Sequence, residues 1–137
     1  MILNQFHNAK DQFVKSQEKK NHCSVINYHL STLYIKENKL NKAQNCLQES
    51  IELNPGYALS HRNLGILLSQ QKNYDDARLH IEKSIDLDYS DSLSHLHLGI
   101  IMKKTKDYSD AEQHFLSALD INPQYTECMM EMADLQV

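Results

Sequence analysis

Apolar positions recur at intervals of three and four along almost the whole chain, the spacing that gives an α-helix one buried face. The pattern also repeats itself every 34 residues. Residues 58–87, shifted by that length, lay Leu64 over Leu30, Leu98 and Met132, and Ile81 over Phe13, Leu47 and Phe115. Tyr74 falls on Phe6, Leu40 and Tyr108. Gly65 shares a column with Ser31 and Gly99, and Ala77 with Ala9, Ala43 and Ala111. Both prolines, Pro55 and Pro123, fall in one column, with Tyr89 between them. A period of this length, with a small residue in the first half of each unit and alanine in the second, marks a helical repeat array.

The periodicity predicts an all-α fold of about seven helices. Residues 1–22 read as the second helix of a partial repeat, carrying Leu3, Phe6, Ala9, Phe13 and Val14. Complete units follow at 24–57, 58–91 and 92–125. Residues 126–137 read as the first helix of a partial fourth, with Met129, Met132 and Ala133. Within units, Glu37-Asn38-Lys39 and Gln71-Lys72-Asn73 turn the chain. Between units, Asn54-Pro55-Gly56 and Asn122-Pro123 stop a helix, because proline cannot continue the hydrogen-bond ladder. Where the helices of a unit cross there is room for little beyond a hydrogen or a methyl. Ser31, Gly65, Gly99 and Ala133 fill that place on the first helices, and Ala9, Ala43, Ala77 and Ala111 on the second. Each unit buries its apolar face only against its neighbours, a half-repeat stands at either end, and no polar capping helix is read after Val137. The array is therefore expected to associate end to end or to be part of a longer chain.

Composition narrows the class. The 137 residues are 41% hydrophobic and 23% charged, which suits a single soluble domain. Three glycines and two prolines are too few turn residues for a sandwich or barrel. A net charge of −4, from 14 basic and 18 acidic residues, speaks against a nucleic-acid or anionic-membrane partner. No apolar run nears the ~18 residues of a membrane span, and the opening residues lack the pattern of a signal peptide. Cys23, Cys46 and Cys128 stand at unrelated spacings, which give neither a disulfide framework nor a metal quartet. Free thiols suit a reducing, cytoplasmic compartment.

Candidate chemistry is sparse. There is no phosphate loop, nucleophile elbow or metalloprotease helix. Asp75-Asp76 and Asp86, Asp88 and Asp91 fall at helix ends, where they meet the dipole or cap the helix. Neither catalysis nor a cofactor is expected. The histidines remain. Repeat stacking would set His29, Asn63 and His97 in one column, with Glu131 next. Units packed roughly 10 Å apart cannot share a metal whose bonds are ~2 Å long. The column reads as a hydrogen-bonding surface or a solvated decoration, and no metal site is expected.

Leu64-Gly65, Tyr74, Ala77 and Ile81, and again Leu98-Gly99, Tyr108, Ala111, Phe115, Ala118 and Pro123, resemble the tetratricopeptide repeat family. The resemblance covers essentially the whole chain. It departs where the family often has tryptophan, for Asn27, His61, His95 and Met129 stand there. It implies a right-handed α-solenoid of antiparallel helix pairs, whose first helices line a concave groove for a peptide or partner helix. To that groove it assigns Val25, Tyr28, His29, Thr32 and Lys36 of the first unit, and Leu59, Arg62, Asn63, Ile66 and Gln70 of the second. The third contributes Leu93, Leu96, His97, Ile100, Lys103 and Lys104; Glu127, Met130 and Glu131 close the row. Val25, Tyr28, Leu59, Ile66, Leu93, Leu96 and Ile100 form an apolar stripe there, or belong in part to the inter-helix core.

The resemblance also bears on the ligand. Family members that clamp an acidic C-terminus use Lys, Asn, Asn, Lys and Arg. Here those positions hold Tyr28, Thr32, Asn63, Leu93 and His97 or, one unit on, Arg62, Ile66, His97, Glu127 and Glu131. That clamp is not expected. The expected ligand is an apolar segment with an acidic residue or two facing Arg62, Lys103 and Lys104. The chain is thus expected to be a non-enzymatic protein-interaction scaffold. Two other roles fit the resemblance: a substrate-recruiting segment of a larger enzyme such as a glycosyltransferase or sulfotransferase, and an architectural subunit of a multi-protein complex.

Overall fold

The computed structural model describes residues 2–135, apart from the Phe6 side chain; positions 1, 136 and 137, at the tips of the predicted half-repeats, lie outside the described residues. These residues form seven α-helices and no strand: α1 (Ile2–Lys36), α2 (Leu40–Leu53), α3 (Ala58–Gln70), α4 (Tyr74–Leu87), α5 (Ser92–Lys104), α6 (Tyr108–Ile121) and α7 (Thr126–Leu135). They fall into two compact units, one holding α1 and α2 and the other α3 to α7. No helix among the described residues is long and apolar enough to cross a membrane.

One boundary differs from the sequence expectation. The repeat register predicts that residues 1–22 form a helix of their own that turns back on the next, yet α1 runs unbroken from Ile2 to Lys36. The reason lies in the stop chemistry. Asn54, Asp88 and Asn122 each end a helix, and each side-chain oxygen accepts the amide of the residue two further on: Gly56 at 3.1 Å, Ser90 at 3.1 Å and Gln124 at 3.3 Å. This side-chain turn replaces the lost ladder bonds. One period earlier the same place holds Lys20, and the proline column holds Asn21. Lysine cannot make that turn and asparagine does not block a helix, so α1 continues. Phe13 and Leu30, which share columns with buried residues of the later repeats, are consequently exposed.

The turns inside the repeats close by a different device. Asn38, Lys72 and Lys106 adopt φ of 60°, 63° and 69°. In each, the residue with positive φ donates three residues back and its successor five back: Asn38 to Ile35 and Lys39 to Tyr34, Lys72 to Ser69 and Asn73 to Leu68, Lys106 to Lys103 and Asp107 to Met102. This paired pattern is the Schellman motif, made here three times without glycine.

Packing follows the small-residue columns. A β-carbon on Gly65 would lie 2.4 Å from Ile81 Cγ1 and 3.0 Å from the Ala77 carbonyl oxygen. Leu64, Leu67, Ile81, Leu98, Ile101 and Phe115 fill the core of the second unit. In the first unit Ala43 and Leu47 are fully buried. There Ser24 and Ser50 clasp α1 to α2, each hydroxyl donating to the other residue's carbonyl at 2.8 Å.

Candidate functional site

The first helices of the second unit, α3, α5 and α7, carry most of the predicted surface. Leu59, Arg62, Asn63, Ile66, Leu93, His97, Ile100 and Lys103 are all half-buried. Leu96 is not part of that surface. It is 0% exposed, because α5 packs against α4 and α6 and also touches α3 and α7, so that little of its circumference faces water. In the first unit His29 is exposed, while Tyr28 sets its ring edge-on to Tyr57 at 5.5 Å. The Thr32 hydroxyl donates to the His29 carbonyl of its own helix at 2.7 Å.

Two cations of this surface, Arg62 and Lys103, are already matched. Asp91 caps α5 by accepting the Leu93 amide at 3.2 Å, and its other oxygen takes Arg62 Nη1 at 3.0 Å and the Ser94 hydroxyl at 2.9 Å. Arg62 Nε also donates to Asn63 Oδ1 at 3.2 Å, which leaves the Asn63 NH2 group as what that side chain offers a ligand. Lys103 Nζ reaches Glu131 at 2.9 Å and Asp134 at 3.4 Å on α7. Of the three cations expected here, only the exposed Lys104 adds positive charge that no ion pair among the described residues offsets. The attraction to acidic ligands expected from Arg62 and Lys103 is thus largely spent within the fold. Burial, then the nearby Arg62 cation, push His97 down to about 4 against the opposing pull of Asp91 and Glu131. His97 is therefore neutral at ordinary pH and keeps an acceptor nitrogen.

A second arrangement lies outside the predicted surface. His61, 6% exposed, stands on α3 with its Nδ1 3.2 Å from Nδ1 of His80 on α4, ring centroids 5.5 Å apart. The pair recurs as His95 on α5 and His114 on α6, centroids 5.9 Å apart. His95, 1% exposed, has its Nε2 3.0 Å from the Tyr89 carbonyl, and its buried Nδ1 has no hydrogen-bond partner. Burial first, and then the partner histidine, lower the pKa of both His80 and His114, opposed by Asp76 and Asp110. The sequence carries a signal for this: both members of each pair recur at the repeat length, from 61 to 95 and from 80 to 114. Among the described residues no three His, Cys, Asp or Glu side chains converge on one point.

Two cavities lie elsewhere. One of about 180 Å³ is lined by Tyr108, Ser109, Glu112, Met132 and Leu135. The other, about 490 Å³, is lined by Gln17, Lys20, Glu49, Glu52, Leu53 and Pro55. Neither includes a predicted groove residue.

Comparison with known proteins agrees with this architecture. Sequence models of the tetratricopeptide repeat match residues 25–57, 46–79 and 73–126. No curated protein sequence matches the chain. Among solved structures, the Arabidopsis OM64 TPR domain superposes with a TM-score of 0.82 at 21% identity, covering 85% of this chain and 97% of that one. The second TPR domain of human RPAP3, in complex with HSP70 peptide SGPTIEEVD, gives 0.77 at 19% identity, covering 88% and 98%. The first TPR of Spaghetti (RPAP3), bound to HSP90 peptide SRMEEVD, gives 0.81 at 15% identity, covering 85% and 92%. At these identities the likeness is one of fold.

Proposed function

Since this chain belongs to the tetratricopeptide repeat family, whose domains serve as protein-interaction modules, we propose that it binds an apolar, weakly charged peptide or partner helix along α3, α5 and α7. The observation that carries this reading is the row Asn63, Ile66, Leu93, His97 and Ile100, half-buried and flanked by ion pairs the fold has already made. Arg62 and Lys103 act as braces: they fix α3 to the start of α5, and α5 to α7. A surface held in this way loses little side-chain freedom when a ligand arrives. Asn63 supplies an amide donor and neutral His97 an acceptor, a pairing suited to peptide backbone. Between them Ile66, Leu93 and Ile100 supply apolar contact. No catalytic step is assigned.

Affinity purification followed by mass spectrometry identifies the retained protein, and calorimetry of variants against it tests the site. Asn63→Ala should weaken binding by about 1–3 kcal/mol if a ligand buries its amide, and Ile100→Ala by a similar amount through lost apolar contact. Both should melt close to the parent, since neither side chain is fully buried. Parental affinity in both variants would remove this surface from consideration.

A further inference from the structure

We propose that each histidine pair of the second unit, His61 with His80 and His95 with His114, chelates a divalent transition-metal ion of the zinc, copper and nickel class. The inference is independent of the peptide surface.

Three observations carry the proposal, the first made on His95, the second on His61 and His80, and the third on both pairs. The first is tautomer control. His95 Nε2 lies 3.0 Å from the Tyr89 carbonyl, an acceptor only, so that nitrogen carries the proton. The lone pair is then confined to Nδ1, which is buried and has no donor. A backbone carbonyl that orients the distal N–H is the usual outer-shell partner of a metal-bound imidazole. The second is distance. Two nitrogens bound at ~2.0–2.1 Å to one tetrahedral ion stand ~3.3 Å apart; the Nδ1 atoms of His61 and His80 stand 3.2 Å apart. Their ring planes are inclined by 29°; one of these nitrogens donates to the other in the metal-free chain, and His80 must carry its proton on Nε2 for both Nδ1 atoms to meet one ion. The third is repetition. Inner and outer imidazoles recur together, each outer one half-buried and open to water. The first unit has Asn27 and Cys46 at the corresponding positions, and so lacks the pair.

The chemistry selects the ligand. Neutral imidazole suits zinc, copper and nickel, whereas magnesium and calcium require oxygen donors. With two protein ligands per ion, water completes the coordination. Asp76 and Asp110, one helical turn before His80 and His114, add negative charge beside each cation. An ion held between the two helices of a repeat binds the folded state alone and so stabilises it.

The test uses the purified chain, stripped of metal with a chelator. Zinc calorimetry should give two ions per chain, and excess zinc should raise Tm by about 5 °C. Cobalt, as a spectroscopic probe, should show the visible bands of tetrahedral coordination. His80→Asn and His114→Asn should each remove one ion, and the double variant both, with folding checked by circular dichroism. His80→Gln and His114→Gln provide a second set should the asparagines disturb the fold. Undiminished zinc binding in the folded double variant would place the metal on exposed His7, His22 or His29 and overturn the proposal. An unchanged Tm of the parent with zinc would overturn it equally. If only one substitution removes an ion, the other pair is not a site.

Discussion

Gly99 and Phe115 are packed so closely that a β-carbon on the glycine would come within 2.5 Å of the ring. Replacing Gly99 by alanine gains about 1 kcal/mol of helix propensity but overpacks the crossing, at about 1–3 kcal/mol. Gly99→Ala should therefore lose up to about 2 kcal/mol in urea unfolding. Phe115→Leu should cost less in the Gly99→Ala background than in the parent, because the smaller side chain makes room for the added methyl. A double-mutant cycle that shows no coupling between the two positions would refute this account of the crossing.

Lys72 and Lys106 hold a left-handed backbone that costs an L-residue roughly 1–2 kcal/mol. Each substitution to glycine relieves that cost, less the entropy glycine returns to the unfolded chain. A gain of about 0.5–1 kcal/mol per site is expected. Asn38→Gly should gain less, because asparagine already tolerates this conformation. A lower urea midpoint for Lys72→Gly would mean that lysine's own contacts outweigh the strain.

The depressed His97 pKa makes stability pH-dependent with a definite sign. In the unfolded chain His97 takes up a proton near 6.5, whereas in the fold it resists until about 4. Its contribution is complete above pH 6.5 and is lost as pH falls from there through 4. The loss is roughly 3 kcal/mol at most, reduced by partial solvent access. Chemical denaturation at pH 7, 5.5 and 4.5 should show this slope, and His97→Asn should flatten it. An unaltered slope in His97→Asn would assign the effect to His80 and His114, which burial also lowers.

Binding of an acidic C-terminal peptide is predicted to be weak. Of the five positions used by clamping relatives, Asn63 alone matches, while Arg62 and Lys103 are engaged by Asp91 and Glu131. Peptides SRMEEVD and SGPTIEEVD, which two structural neighbours bind, should show no micromolar affinity here. Tight binding that disappears when the terminal carboxylate is amidated would contradict this.

Leu3, Phe13 and Val14 are exposed on α1, where helical spacing sets them on one face. Concentration-dependent self-association is the expected result, reduced in Phe13→Glu. Sedimentation velocity of a strictly monomeric parent over a wide concentration range would count against it.

How legible the molecule is from its sequence depends on which residues carry the information. Gly65, Ala77, Gly99 and Ala111 disclose the helix crossings because only small residues fit there. Register alone does not disclose the run-through at Lys20 and Asn21, since a helix end is decided by local stop chemistry. Leu96 escapes the pattern for another reason: periodicity assigns one buried face, and α5 is enclosed on several sides. The histidine pairs leave a trace in the columns, at 61 and 95 and at 80 and 114, but columns compare equivalent positions in different repeats and do not show that His61 and His80 meet inside one repeat, 19 positions apart.

The unbroken α1 also gives the protein two clocks. At 35 residues it is about 52 Å long, and from Ile2 to His22 its described side chains are exposed. Amide protons in that stretch exchange with solvent through fraying of a nearly autonomous helix, a fast process. Those near the Ser24–Ser50 clasp must wait for α1 and α2 to part. Deuterium uptake should rise steeply within a few residues on crossing from Ser24 towards the start of the chain. Any partner that settles on the leading stretch will declare itself by slowing the first clock and leaving the second untouched.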